Sequence, residues 1–268
     1  MNAIDFFASI LSTKLWYKKE TAWTRWRARF RAEVAQYKNI TQFMTWDSIK
    51  EAPFFMHEHM PYIAAEAAAL EAAGTLTQNA IAEYAFGSPT RLSYLPDTSA
   101  NMVHNAYHLK IFEAATGVKI SKLKSIVEIG AGYGVMYPII HRLGFAGRYD
   151  IYDYLELLLL QQLYHDGTGL PPIIYSLVED QGRFFVPPRN PDLLISTYLF
   201  NQIDQGLCYA LWDSIAPKYA LLIDENNALD VLRQKVHQTY TWACVSANAA
   251  SEKAGTTVYT IGTRNDEC

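Results

Sequence analysis

The chain has 268 residues, half of them hydrophobic, with 23 Lys and Arg against 27 Asp and Glu. This length and hydrophobicity suit one α/β domain with added helices, or two small domains sharing an interface, and exclude wholesale disorder. A net charge of -4 argues against a general nucleic-acid binder, which carries a basic excess. Cys208, Cys244 and Cys268 are too few and too widely spaced for a metal knuckle or a disulfide framework, so a reducing cytoplasm is the expected location. The apolar N-terminal stretch is too short to span a bilayer, and its basic residues follow it, unlike those of a signal peptide. The 18 tyrosines and six tryptophans are either large packing residues at helix contacts or the lining of an acceptor pocket.

Residues 1–118 read as a helical cap. In TAWTRWRARFRAEVAQY, Trp23, Trp26 and Phe30 form one apolar stripe. Lys14, Lys18, Lys19, Arg25, Arg27, Arg29 and Arg31 make a basic cluster opposed by Glu20. It reads first as a solvated helix surface, with phosphate recognition and RNA binding as the alternatives. PYIAAEAAALEAAG begins at Pro61 and stops at Gly74, and TLTQNAIAEYAF at 75–86 predicts a further short helix. Ser99 or Asn101 caps a longer helix ended by Gly117.

From Lys122 the pattern alternates strand and helix, so residues 119–268 form the second region. Strands are expected at 125–129, 148–153, 172–177, 192–196 and 219–224, and helices at 134–143, 155–165, 204–215 and 228–237. Segments 240–246 and 256–262 read as a closing hairpin, and 179–191, with three prolines, as an irregular loop near a site. The fold class is therefore α/β: a doubly wound, mostly parallel seven-stranded sheet ending in an antiparallel hairpin, with an N-terminal helical cap.

The first strand ends in Glu128-x-Gly130-x-Gly132-x-Gly134. A dinucleotide fingerprint needs its last glycine where this chain has Val135, which disfavours an NAD-dependent dehydrogenase. S-adenosylmethionine carries no pyrophosphate and tolerates that change. Gly130, Ala131 and Gly132 would let the backbone approach it, and Glu128 would accept bonds from its ammonium. Asp153, ending the second strand, suits the two ribose hydroxyls because a carboxylate only accepts. Tyr154 or Leu155 would cover the adenine, and Glu179, Asp180 or Gln181 would reach its amine. Ser196, Tyr198 and Asn201 follow the fourth strand, and Asp224, Glu225, Asn226 and Asn227 end the fifth. His104 and His108, four apart on the preceding helix, are candidate general bases, structural histidines, or a metal pair; no metal is the expectation.

The segments VEIGAGYG (127–134), YDIYDYLELLLLQQLYH (149–165), DLLISTYLFNQID (192–204) and, more loosely, SANMVHNAYHLKIFEAATG (99–117) resemble the class I S-adenosylmethionine-dependent methyltransferases. The closer resemblance is to sugar O-methyltransferases found with polysaccharide biosynthesis genes. Related sequences often read DLPE where this chain has Asp153-Tyr154-Leu155-Glu156. The resemblance implies a Rossmann-like fold, S-adenosylmethionine as cofactor, and cofactor roles for Glu128, Gly130, Gly132 and Asp153. It also implies methyl transfer to a hydroxyl of a sugar or nucleotide-sugar. His104 is then the expected base with His108 in reserve, and Tyr198, Asn201 and Glu225 orient the acceptor, while Ser196 belongs to the cofactor side. A stable nucleic-acid partner is not expected, and self-association into a homodimer is left open. An RNA methyltransferase and a non-catalytic methyltransferase-like binding module are the competing readings.

Overall fold

The computed structural model describes residues 3–12, 22–36, 39–74, 79–177, 179–180, 183–184, 187–197, 205–225, 229–247 and 257–265. Helices α1 (Ala3–Ser12), α2 (Ala22–Val34), α3 (Asp47–Lys50), α4 (Ile63–Ala73) and α5 (Ala100–Thr116) precede the sheet. Local chemistry sets their ends. Gly74 stops α4 at φ 59°, and Ser99 caps α5 by accepting from the Met102 amide at 3.3 Å, with Gly117 closing it at φ 70°. Asn101 is not the cap; its side-chain oxygen accepts from the Met56 amide at 2.9 Å.

The helix expected over 75–86 does not form in its described part, 79–86, which is turns around an irregular stretch. Its backbone groups are taken by distant partners. The Glu83 amide donates to Asp97 O at 2.7 Å, and Gly87 N to Thr41 O at 2.8 Å, bonds that an i→i−4 ladder would have to break.

The rest of the chain alternates as expected. The order is β1 (Ser125–Ile129), α6 (Met136–Arg142), β2 (Arg148–Asp153), α7 (Leu155–Gly167), β3 (Ile174–Leu177), β4 (Glu179–Asp180), β5 (Arg183–Phe184) and β6 (Leu193–Thr197). Then come α8 (Gln205–Ile215), β7 (Tyr219–Glu225), α9 (Asp230–Lys235), β8 (Tyr240–Ala247) and β9 (Thr257–Arg264). The loop read as irregular from 179 contains a small antiparallel pair, β4 with β5.

Seven strands form one sheet in the order β3-β2-β1-β6-β7-β9-β8. β1, β2, β3, β6 and β7 pair in parallel, and β9 runs antiparallel to both β7 and β8. Strand order reverses between β1 and β6, the switch point where a doubly wound sheet opens a crevice at its carboxyl edge.

Side chains alternate across the sheet with period two. Ile126, Leu193, Ile195, Leu221 and Ile223 join a core that runs without a break into Phe6, Trp26, Phe30 and Phe112 of the helical region. Val127, Ile129, Leu194 and Leu222 face the opposite core with Leu211, Trp212 and Tyr240. By this parity Glu128 and Asp153 stand on the face covered by the N-terminal helices. No helix among the described residues is long and apolar enough to cross a membrane.

Candidate active site

The turn after β1 is built on left-handed backbone, with φ 79° at Gly130, 60° at Gly132 and 91° at Gly134. α7 fastens it from below. Gln161 Nε2 donates to the Gly132 carbonyl and to Asp153 Oδ2, both at 2.8 Å. His165 Nε2 lies 2.8 Å from the Gly134 carbonyl, and its Nδ1 lies 2.7 Å from the Tyr175 hydroxyl. Burial lowers the His165 pKa to about 4, so the ring is neutral; Nε2 then donates and Nδ1 accepts. A Cβ at Gly134 would sit 2.7 Å from that Nε2, so the third glycine admits a histidine rather than a phosphate. Sequence reasoning missed Gln161 and His165. Their signal was an i, i+4 polar pair inside a leucine-rich helix.

Two buried acids border the turn. Glu128 is 2% exposed and accepts from the Tyr149 hydroxyl at 2.6 Å. Burial raises its pKa to about 7, the Tyr149 bond opposes that rise, and the Asp153 charge adds to it. Asp153 accepts from the Tyr154 amide at 2.8 Å and from Gln161. It too is raised to about 7 by burial, against the bonds from Tyr154, Gln161 and the Ala131 amide.

Both acids line a cleft of about 760 Å³, counting its open mouth. His104, His108, Gly130, Ala131, Gly132 and Tyr154 line it as well. From β6 the lining residue is Thr197, not Ser196. The correction is one of parity: Ser196 shares the face of Leu194, on the far side of the sheet. Tyr198 and Asn201 lie outside the described residues, as do the side chains of Glu179, Asp180 and Glu225.

The helical region supplies the opposite wall. Trp23 and Phe54 line the cleft with rings 10° from parallel and 6.3 Å apart. Phe54 rests on Gly132, where a Cβ would come within 2.9 Å of its ring. His104 Nδ1 meets both oxygens of Glu66, at 3.0 and 2.9 Å, and His108 Nδ1 meets the Tyr259 hydroxyl at 3.0 Å. Arg27 and Arg31 do not form a solvated surface. They pair with Glu156 at 2.8 and 2.6 Å, and Glu156 is completely buried. Arg27 also lies 4.6 Å over the Tyr154 ring. Among the described residues no three His, Cys, Asp or Glu side chains gather as a metal site.

Six strands in one direction, with β9 alone reversed between β7 and β8, decide the architecture. It is the Rossmann-like fold of class I S-adenosylmethionine-dependent methyltransferases. No family model matches the sequence, and no curated protein matches it. Similar solved structures include protein 1320 of Thermoplasma acidophilum, 16% identical over 68% of this chain and 93% of that one, with a TM-score of 0.45. Another is magnesium protoporphyrin IX methyltransferase from Synechocystis PCC 6803 with bound SAM, at 11% identity, 60% and 80% coverage and a TM-score of 0.46. The glycopeptide N-methyltransferase MtfA is 14% identical over 59% of this chain and 94% of its own, with a TM-score of 0.43. Strand order and direction alone carry that fold.

Proposed function

We propose that the chain is an S-adenosylmethionine-dependent O-methyltransferase acting on a hydroxyl of a sugar or glycan-related small molecule. In this reading residues 119–268 bind the cofactor and residues 1–118 form the cap over the acceptor. The observation that carries it is the pair of buried acids, Glu128 and Asp153, flanking a turn with no Cβ at Gly130 and Gly132. Buried carboxylates need partners, and a cofactor with one ammonium and a vicinal diol supplies both kinds.

Bound there, S-adenosylmethionine supplies a methyl group already activated on a sulfonium. Glu128 holds the ammonium, Asp153 accepts from the ribose hydroxyls, and Tyr154 covers one adenine face, with Glu179 or Asp180 reaching the amine. Holding the acceptor oxygen in line contributes much of the rate, so the cap residues act chiefly by positioning. His104 receives the hydroxyl proton, while Tyr198, Asn201 and Glu225 orient the acceptor.

Calorimetric titration with S-adenosylmethionine, S-adenosylhomocysteine and NAD tests the reading, with Asp153→Ala alongside. Micromolar binding of the first two, weakened at least about a hundredfold in the variant (two charge-assisted bonds at roughly 1.5–3 kcal/mol each), is expected. Folded protein that binds neither would overturn it. Binding of both then justifies assaying methyl glycosides as acceptors.

A further inference from the structure

α4 is an alanine-rich helix with one buried acid. Glu71 is exposed, whereas Glu66 is 6% exposed and turned into the contact with α5. An isolated carboxylate in that position would be costly, and both its oxygens find the same proton, on His104 Nδ1. A carboxylate only accepts, so Nδ1 carries hydrogen, and in the neutral form of the ring the lone pair lies on Nε2. That Nε2 is buried and has no hydrogen-bond partner among the described residues, and His104 lines the cleft shared with Glu128 and Asp153. Buried acceptors are seldom left unmatched in a folded chain.

The neighbours sharpen the arrangement. His108 stands one turn along α5, its ring 4.2 Å from that of His104 and inclined by 67°. Full burial and the adjacent imidazole hold His108 well below its ordinary pKa, so it stays neutral against the Tyr259 hydroxyl. Tyr62, at the start of α4, packs its ring 5.2 Å from His104. The groups facing His104 are therefore Glu66 and Tyr62 from the α4 side, His108 on α5 with Tyr259 behind it, and Glu128 and Asp153 across the cleft. Glu66 is the acid in direct contact.

We propose that Glu66 is the positioning residue of the acceptor site: it fixes His104 in the Nδ1–H form, so that Nε2 takes the proton of an acceptor hydroxyl. The inference rests on reading the cleft as a methyltransferase acceptor site. As the O–H bond breaks, its electron pair stays on the acceptor oxygen and an N–H bond forms at Nε2. The imidazolium is stabilised by the Glu66 carboxylate until the proton passes to solvent.

The test uses the full chain with ¹⁵N-labelled histidine, as wild type, Glu66→Gln and Glu66→Asp, with His104→Gln to assign the resonance. The wild type should show the Nδ1–H tautomer at His104. In Glu66→Gln the Nδ1–H population at His104 should fall, because a carboxamide can donate as well as accept and no longer fixes the tautomer. With S-adenosylmethionine and the best methyl glycoside, kcat should fall about tenfold to a hundredfold. The cofactor KM should stay within about twofold, and Glu66→Asp should recover part of kcat; Glu66 acts on the base, not on the cofactor. An Nε2–H tautomer in the wild type, or Glu66→Gln turnover within about twofold of wild type, would sink the proposal. The resonance is read without cofactor. A failed cofactor titration beside the expected tautomer thus removes the methyltransferase reading and leaves Glu66 as the residue that orients His104.

Discussion

The two walls of the cleft are assembled differently. On the sheet side the partners are close in sequence: Glu128 and Tyr149 are 21 residues apart, and Asp153 and Gln161 eight. On the cap side they are remote: Arg27 and Glu156 are 129 residues apart, and His108 and Tyr259 151. The sheet side is thus one βαβ unit that positions its own acids. The cap side exists only once the whole chain has closed, and its stability should depend on a few long-range contacts. Breaking the Arg27–Glu156–Arg31 cluster is the severest test of that contrast. Glu156→Ala strips a shared carboxylate from two arginines that are 11% and 14% exposed. A loss of about 3–5 kcal/mol is expected, since removing one partner of a buried ion group leaves uncompensated charge. Arg29→Ala removes the pair with Glu51, whose partners are 52% and 61% exposed, and should leave the melting temperature unchanged. Equal melting curves for Glu156→Ala and wild type would mean that the cap is not fastened there.

Two glycines, Gly74 at the end of α4 in the cap and Gly134 on the sheet side, separate backbone conformation from packing. Gly74 has φ 59° with nothing near its missing Cβ, whereas Gly134 has φ 91° and His165 at 2.7 Å. Gly74→Ala should cost about 1–2 kcal/mol, the left-handed penalty alone. Gly134→Ala should cost about 2–4 kcal/mol, because overpacking against a hydrogen-bonded ring is added. Urea denaturation of both decides the matter. Equal losses would show that α7 shifts freely and that the third glycine serves conformation only.

How much of this was legible follows the same division. The strands at 125–129 and 148–153, the glycine turn and the acid at 153 were all readable, because period-two apolar runs and glycine carry their meaning locally. Thr197 was not distinguished from Ser196, since a one-residue change in strand register reverses which side chain reaches the cleft. Glu66 looked like one acid among alanines, and no local pattern says that it meets a histidine 38 residues on. Arg27 and Arg31 of α2 looked solvated because their acid, Glu156, lies on a helix far along the chain. Residues 79–86 carry helix-forming composition, yet remote hydrogen bonds held them out of a helix. Local chemistry thus exposed the proposed cofactor wall, while the cap's contacts required the tertiary fold.

Glu128 offers the clearest reciprocal effect. Its pKa rises from 4.5 in the unfolded chain to about 7 in the fold. A raised value means that the folded state binds the proton more tightly, so the stabilisation is fully present below about pH 4.5 and is lost as pH climbs through 7. At about 1.4 kcal/mol per pH unit the loss is bounded near 3 kcal/mol. Glu128→Gln does not titrate and can still accept the Tyr149 hydroxyl. It should therefore gain about 1–3 kcal/mol on the wild type between pH 4.5 and 8.5, read as diverging urea midpoints. Affinity for S-adenosylmethionine should run the other way. The wild type should bind more tightly at pH 8 than at pH 6, as the carboxylate proposed to hold the ammonium ionises, and the variant should lose that part of the increment while keeping the part due to Asp153. Parallel stability curves would show that Glu128 is already ionised in the fold. Diverging stability with an unchanged affinity increment would assign the ammonium to another partner. Both effects together would identify a residue that destabilises the protein alone because it is kept for the cofactor.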